Sequence, residues 1–390
     1  MKPRILVFCD YYLPGIKGGG GMWAVKNLVD RFSDRYEFKI VTRNHDGRDD
    51  RSPYSDVKTN CWNSVGPAEV YYLSPRDITP RTLAQITNEL EPDAIFLNSV
   101  FSRPTVMYLT ARRLGLLKRI PTILAVCGEL APAALALKST KKNVYLSAAK
   151  SAGLFNGLIF RASFDEERQD IQRVMGEKAR IMIAPDLTPA SILPHFNIDN
   201  KPRKDGGSVR LAFVSRIARK KNLAFLLKVL STISSGTVSL DIAGAEEDPV
   251  YLSECKALAE SLGSNISVYW HGPVGNEAAL ELMAASHFFV LPTLNENFGY
   301  VFIEALAAGC PLIISDQTVW RDLEEKGVGW DLDLNDGTAW GSMIERSLAM
   351  ENEEFQRMAA ASRAFALGWL SDRGIEEDTA KLLSYAISTS

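Results

Sequence analysis

Along the chain, short runs rich in apolar and β-branched residues alternate with segments whose apolar positions recur at helical spacing. That alternation is the pattern of parallel sheets joined by crossover helices. The runs form two series. The first predicts strands over residues 4–9, 38–42, 70–73, 94–97, 122–126, 157–160 and 180–183, separated by helical segments such as 22–32 and 103–114. The stretch from His45 to Pro67 is polar and irregular and reads as a long loop. A second series predicts strands near 210–214, 239–243, 267–270, 288–291 and 311–314, followed by tail helices over 353–367 and 375–387. Between the two series, Pro185-Asp186-Leu187-Thr188-Pro189 and Pro202-Arg203-Lys204-Asp205-Gly206-Gly207 interrupt both periodicities. The expected organisation is an α/β protein with a Rossmann-like N-terminal domain over 1–188, a linker over 189–207 and a Rossmann-like C-terminal domain over 208–369. The last helix, 370–390, is expected to pack back onto the first domain. Two such domains are expected to face each other across a cleft that takes the ligands.

Three segments carry candidate chemistry. Asn295-Glu296-Asn297-Phe298-Gly299-Tyr300 follows an apolar strand stopped by Pro292 and leads into an Ala-rich helix that carries Glu304. The first acid falls on a loop at the carboxyl end of a strand, where open α/β sheets bind ligands, and the second about one turn into the helix. The alternative is a solvated loop acid with an ordinary helix-surface Glu. Gly18-Gly19-Gly20-Gly21 follows the first strand and opens a helix, a setting in which backbone N–H groups can approach a phosphate. A dinucleotide fingerprint would need its glycines tight against the strand and an acid about 20 residues on, whereas the second strand ends Val41-Thr42-Arg43. A glycine hinge without a ligand is the third reading. In the second domain, Ser215-Arg216-Ile217-Ala218-Arg219-Lys220-Lys221-Asn222 puts fixed cations at the mouth of a sheet, suited to a diphosphate or else simply solvated.

The 390 residues suit two cores of ordinary size, and 46% apolar with 23% charged residues excludes disorder or collagen-like structure as the main state. Five widely spaced cysteines, Cys9, Cys61, Cys127, Cys255 and Cys310, include no CxxC pair, so neither a disulfide framework nor a zinc knuckle is expected. The opening apolar run is too short for a signal-peptide core, and no segment approaches the length of a membrane span. None of His45, His195, His271 and His287 stands at triad or metal-ligand spacing. The net charge of −3 is unevenly divided. Residues 1–205 hold 30 Lys+Arg against 22 Asp+Glu, a balance of +8, which leaves −11 for 206–390. Basic residues Arg112, Arg113, Lys118, Arg119, Lys138, Lys141, Lys142 and Lys150 lie on expected helices among Leu and Ala, a setting for an anionic bilayer or for solubility alone.

Taken together, Arg216 and Lys221, Glu296 and Glu304 with Phe298-Gly299 between them, and the glycine loop resemble the retaining GT-B glycosyltransferases of family 4. The similarity continues through Glu304-Ala305-Leu306-Ala307-Ala308-Gly309-Cys310-Pro311, Ser315-Asp316-Gln317 and Trp320-Arg321-Asp322-Leu323 to Gly327-Val328-Gly329-Trp330. A bacterial branch making lipopolysaccharide, capsule or exopolysaccharide is similar in Lys17-Gly18-Gly19-Gly20, Gly128-Glu129-Leu130 and the pattern Ala134-Leu135, Lys138, Lys141-Lys142. The resemblance implies GT-B architecture and transfer from a nucleotide sugar, a UDP- or GDP-sugar, with retention and without a metal or resident cofactor. It implies that Arg216 and Lys221 neutralise the departing diphosphate and that Gly19 and Gly20 approach it. Glu296 would orient the donor sugar with the N–H groups of Phe298, Gly299 and Tyr300, and Glu304 would hold the ribose. The acceptor would be a glycan or lipid-linked glycan, with no nucleic acid partner, in a cytoplasmic protein that is peripheral at the inner face of the plasma membrane.

The chain departs from the family in one loop. Many members carry a His where this one reads Ala125-Val126-Cys127-Gly128-Glu129, and close relatives often have Arg at the place of Cys127. Glu129 is the residue expected to contact an acceptor hydroxyl. Two other activities remain open. A sugar-nucleotide epimerase would need extra acid/base groups near the sugar, and a noncatalytic nucleotide-sugar-binding protein would bind donor without transfer.

Overall fold

The computed structural model describes residues 2–15, 18–47, 52–136, 139–189 and 198–389. Lys17, Lys138, His195 and residues 190–197 of the expected linker lie outside them. The chain divides into two compact units, Met1–Ala190 with Asp372–Ser390, and Ser191–Ser371.

In the first unit the described residues form an eight-stranded sheet of β1 (Arg4–Phe8), β2 (Glu37–Arg43), β3 (Trp62–Val65), β4 (Ala68–Leu73), β5 (Ala94–Asn98), β6 (Thr122–Ala125), β7 (Ile159–Ala162) and β8 (Arg180–Ile183). The order is β3-β4-β2-β1-β5-β6-β7-β8. Every pairing is parallel except that of β3 with β4. Strands β5, β6 and β7 are buried at every position because crossover helices cover both faces, which is why they read as mostly apolar runs, with Arg161 of β7 the charged exception. Strand β3 is a correction to the expected loop. It folds back on β4 through Gly66-Pro67, pairing Val65 with Ala68, and Trp62 stands edge-on to Tyr71 at 5.2 Å. A four-residue hairpin strand on a sheet edge has little apolar pattern to betray it.

The helix Arg373–Ser388 belongs to this unit. Glu376 pairs with Arg31 at 2.8 Å, Ser384 meets Tyr36 at 3.3 Å, and the Arg180 guanidinium lies over Tyr385.

The second unit contains β9 (Ser208–Val214), β10 (Thr237–Ala243), β11 (Ile266–Gly272), β12 (Phe288–Leu291), β13 (Leu312–Ser315) and β14 (Gly329–Leu332), ordered β11-β10-β9-β12-β13-β14 and parallel throughout the described residues. β12 and β13 are wholly buried, whereas β11, at the sheet edge, alternates exposed and half-buried positions. β14 was not expected, since Gly-Trp-Asp-Leu is too short and mixed to announce a strand.

Residues 198–207, within the stretch assigned to the linker, are tied into the second unit by two buried lysines. Lys201 Nζ donates to the carbonyls of Met283 and Ala308 at 3.1 and 3.3 Å. Lys204, 0% exposed, donates to those of Ser208, Leu348 and Met350 at 2.7, 3.2 and 3.0 Å. Ammonium groups that bond several interior carbonyls convert polar residues into core residues, so composition alone misreads them as linker. Replacing Lys204 with Met removes this buried donor, although the Leu348 carbonyl keeps its bond from Gly207 N at 2.8 Å. The expected result is a loss of about 2–4 kcal/mol, read as an earlier unfolding midpoint in chemical denaturation.

Candidate active site

The second unit has its topological switch point at β9, whose neighbours β10 and β12 continue the sheet in opposite directions. Ligands of open parallel sheets bind outside the carboxyl ends of the strands at such a point. The loops after β9 and β12 are the ones that carry the candidate cations and acids. After β9 the chain runs through Ser215 and Arg216 into a 3₁₀ turn, Arg219–Lys221, closed by Asn222 in the left-handed region at φ 60°. Gly244, at the end of β10, lets the strands approach here. A Cβ there would fall on the Ser215 carbonyl and within 3.1 Å of the Arg216 N, so only glycine fits. Nothing in the spacing of the sequence singled it out.

Two bonds join the neighbouring loops. Leu294 N donates to the Lys220 carbonyl at 2.8 Å, and Thr293 Oγ1 reaches the same oxygen at 3.2 Å. Their side chains then meet. Lys221, 9% exposed, forms an ion pair with Glu296. Burial pushes the Glu296 carboxyl up, but the Lys221 and Lys220 ammoniums, the hydrogen bond from Lys221 and the Arg216 guanidinium outweigh it and hold it below the ordinary value. Glu296 N also donates to the Gln317 carbonyl at 3.0 Å, which ties the acid loop to the segment after β13.

Arg216 is half-exposed and pairs with Glu247 at 2.6 Å, which leaves most of its fork open to a ligand. Arg219 is turned to another task. It binds Glu254 and Asp248 and covers Tyr251, whose hydroxyl accepts from Ala224 N at 2.9 Å, and so pins the turn that presents Lys221.

Phe298, 2% exposed, is packed among Tyr300, Trp320 and Trp369. Its carbonyl accepts from Trp320 Nε1 at 2.6 Å. Gly299 caps the helix Tyr300–Ala307 at φ 73°, where a Cβ would lie 2.5 Å from the Phe302 ring and 2.9 Å from Glu296 Cγ. One turn on, Glu304 is half-buried, and its carboxyl has no hydrogen-bond partner among the described residues. Burial pushes it up to about 7. A poorly solvated carboxyl with open acceptor positions is prepared for hydroxyl donors from outside the protein.

In the first unit, the switch point lies between β1 and β5. The glycine run follows β1. Gly19 and Gly20 form the first turn of the helix Gly19–Phe32, which no side chain caps, and a Cβ at Gly19 would meet nothing within 4 Å. Asn98, at the end of β5, donates to the Gly21 carbonyl at 3.0 Å and accepts from Cys127 Sγ at 3.4 Å. Burial, then the Asp186, Glu129 and Glu167 carboxyls, raise the Cys127 thiol well above its ordinary value, so it stays protonated.

Glu129 is placed as a brace. Its oxygens accept from Ser99 Oγ at 2.8 and 2.9 Å, Val100 N at 2.7 Å and Phe101 N at 3.3 Å, which fastens the loop after β6 to the loop after β5. The expected contact with an acceptor hydroxyl therefore competes with these bonds. Sequence reasoning passed over the group beneath it. Glu167 accepts from Gly128 N and from Ser163 N at 2.6 Å, and Arg161 pairs with Asp186 at 2.8 Å. These residues sit at no motif spacing, and only the sheet order brings them together. Of the described histidines, His287 accepts from Arg210 N through Nδ1 and is lowered to about 4, first by burial, while His271 pairs with Asp241 at the β10–β11 edge.

The raised Glu304 group has a sign that can be checked. Between its ordinary value of 4.5 and about 7 the folded protein holds this proton more tightly than the unfolded chain, so its contribution to stability falls as pH rises through that window. Glu304→Gln should therefore raise the melting temperature relative to the parent at pH 8 and change it little at pH 5. Equal effects at both pH values in differential scanning calorimetry would contradict the assignment.

Comparison with known proteins bears on the fold and on the second unit's sequence. Residues 195–365 match the family described as "Glycosyl transferases group 1". D-inositol 3-phosphate glycosyltransferase of Xylanimonas cellulosilytica is 27% identical over 221 residues, 53% of this chain and 53% of that one. The chain thus spans about half the length of this curated relative. Among solved structures, sucrose-phosphate synthase of Thermosynechococcus elongatus superposes with a TM-score of 0.74 at 16% identity over 100% of both chains. HepE of Anabaena, solved with UDP and glucose, gives 0.71 at 15% identity over 98% of this chain and 100% of its own. The chain has the fold of the GT-B glycosyltransferases, and its residues 195–365 carry the group 1 glycosyl transferase pattern.

Proposed function

We propose that this protein is a retaining glycosyltransferase that moves a sugar from a nucleoside-diphosphate sugar to a glycan or lipid-linked glycan in cell-surface polysaccharide biosynthesis. The observation that carries the reading is the Lys221–Glu296 pair at the β9–β12 switch point, with Arg216 beside it and the unpartnered Glu304 one helical turn away. Arg216 and Lys221 would take the diphosphate, since a guanidinium fork and an ammonium both offer charge-assisted bonds to phosphate oxygens. As Lys221 turns to phosphate, Glu296 is released to accept from sugar hydroxyls. Glu304 would accept from the ribose hydroxyls. Within the first unit, the uncapped first turn at Gly19 and Gly20 would offer N–H donors to an anion.

Neither acid is cast as a nucleophile in this reading, because Glu296 is engaged with the sugar hydroxyls and Glu304 with the ribose. Retention would follow from attack on the leaving-group side. The acceptor oxygen bonds to the anomeric carbon as the bond to the diphosphate breaks, and a phosphate oxygen receives the acceptor proton. Basic side chains stabilise the charge that develops on the leaving group, a form of catalysis that works through preorganised electrostatics.

The UDP and UDP-glucose complexes of HepE favour a UDP-sugar as the first donor to try. WaaG, a structural neighbour described as acting in lipopolysaccharide biosynthesis, has a TM-score of 0.68 at 13% identity and is the basis for the surface-polysaccharide acceptor. Exposed Leu114, Leu116 and Val144, near Lys118, Arg119 and Lys141 in sequence, support attachment to an anionic bilayer that holds a lipid-linked acceptor. No helix among the described residues is long and apolar enough to cross a membrane.

Calorimetric titration without added metal, using UDP, GDP, ADP, dTDP and their common sugar conjugates, tests the donor site. One base is expected to bind selectively, and Arg216→Ala should abolish the signal; a folded protein that binds none of them overturns the reading. With the donor known, Lys221→Ala should slow transfer by on the order of 10²-fold, measured as release of the nucleoside diphosphate in the presence of acceptor. Co-sedimentation at low salt with phosphatidylglycerol vesicles, and not with phosphatidylcholine vesicles, is expected of the bilayer attachment; equal recovery with both would remove it.

A further inference from the structure

The Phe298–Gly299 peptide is held by a residue from outside its own loop. Trp320, 4% exposed, donates through Nε1 to the Phe298 carbonyl at 2.6 Å. In a planar trans peptide the carbonyl and the following N–H point in opposite directions. The bond that fixes the Phe298 carbonyl therefore also fixes the Gly299 N–H, directed away from the indole. That N–H has no acceptor among the described residues, and it sits at the left-handed cap of the helix that carries Glu304. The Gly299 carbonyl is fixed in turn by Phe302 N at 2.9 Å.

The indole is itself firmly seated. Its own backbone N donates to Thr318 Oγ1 at 3.1 Å, while Asp331 on β14 accepts from Leu323 N and pairs with Arg321, each at 3.0 Å, so that the residues on both sides of Trp320 are anchored. Its ring packs against Phe298, Phe302, Phe365 and Trp369. Trp369 offers a contrast within this cluster, because its Nε1 is buried with no partner among the described residues. Packing alone therefore does not require that an indole here spend its N–H, and the bond from Trp320 is specific to the loop.

We infer that Trp320 is a positioning residue for the transferred sugar: its indole N–H aims the Gly299 N–H at a sugar hydroxyl. The inference rests on the donor reading above, in which the Gly299 N–H already faces the sugar, and adds to it the residue that aims that N–H, apart from the diphosphate and ribose contacts of Arg216, Lys221 and Glu304.

The test compares Trp320→Phe, which keeps a ring and removes the donor, with Phe302→Leu, which disturbs the same cluster and leaves the donor in place. Affinity is measured for the nucleotide sugar that binds the parent most tightly and for its nucleoside diphosphate. Trp320→Phe should weaken the nucleotide sugar about tenfold, the scale of one ordinary hydrogen bond, and leave the nucleoside diphosphate within about twofold. Phe302→Leu should show no such split. Amide exchange at Gly299 in the unliganded protein should speed up in Trp320→Phe and not in Phe302→Leu. Equal weakening of both ligands, or the same behaviour in the two variants, overturns the inference. If the parent binds no nucleotide sugar, the donor reading falls on its own. Exchange at Gly299 still decides whether the indole orders the turn, and unchanged exchange in Trp320→Phe overturns the present inference.

Discussion

The ion pair between Lys221 and Glu296 is the contact on which the second unit's candidate site depends. Each partner would be costly to bury alone, since a desolvated charge without a partner is among the most destabilising features a fold can carry. Paired, they join the loops that follow two neighbouring strands. Two backbone-directed bonds to the Lys220 carbonyl hold those loops at the distance the pair requires. On the proposed reading, an arriving diphosphate would replace the carboxylate as the partner of Lys221, so the charge would stay compensated with or without ligand. The pair would then serve both the folded state and the chemistry.

Positive and negative groups around this pair are sorted by what else they touch. Arg219 is surrounded by Glu254, Asp248 and Tyr251 and works as scaffold, although its residue type equals that of Arg216 three positions earlier. Arg216 has a single carboxylate at its edge and remains half-exposed. Glu296 is lowered by cations, and Glu304 is raised by burial with nothing to oppose it. Two acids eight residues apart therefore hold their protons with opposite bias, a difference set by environment alone.

The first unit uses buried carboxylates differently. Glu129 and Glu167 accept from backbone N–H groups at the ends of β5, β6 and β7, where strands stop and their donors would otherwise go unmet. Burial raises both groups, opposed by those same bonds and by nearby positive charge. Acid side chains thereby become part of the backbone's hydrogen bonding and fix the loops beside the glycine run. Asn98 carries that order to the run itself through the Gly21 carbonyl.

Much of this was legible in the chain. Parallel strands covered on both faces must be continuous apolar runs, so residues such as 94–97, 122–126 and 288–291 declared themselves, and with them the loops that open at their carboxyl ends. The glycine run, the basic turn and the Glu296–Glu304 spacing were visible because local backbone needs, charge and helix periodicity are written in adjacent residues. β3 and β14 were not visible, because four-residue strands take their stability from the neighbour they pair with. Lys201 and Lys204 looked like linker, and only packing revealed the carbonyls they satisfy. The split between Arg216 and Arg219, the brace at Glu129, the need for Gly244 and the reach of Trp320 to Phe298 each join residues far apart in sequence or depend on a partner across the fold. Residue type and periodicity determine which elements form and which loops carry charge. What each charged or polar group does there is decided by desolvation and by long-range hydrogen-bond partners, and these exist only once the chain has folded.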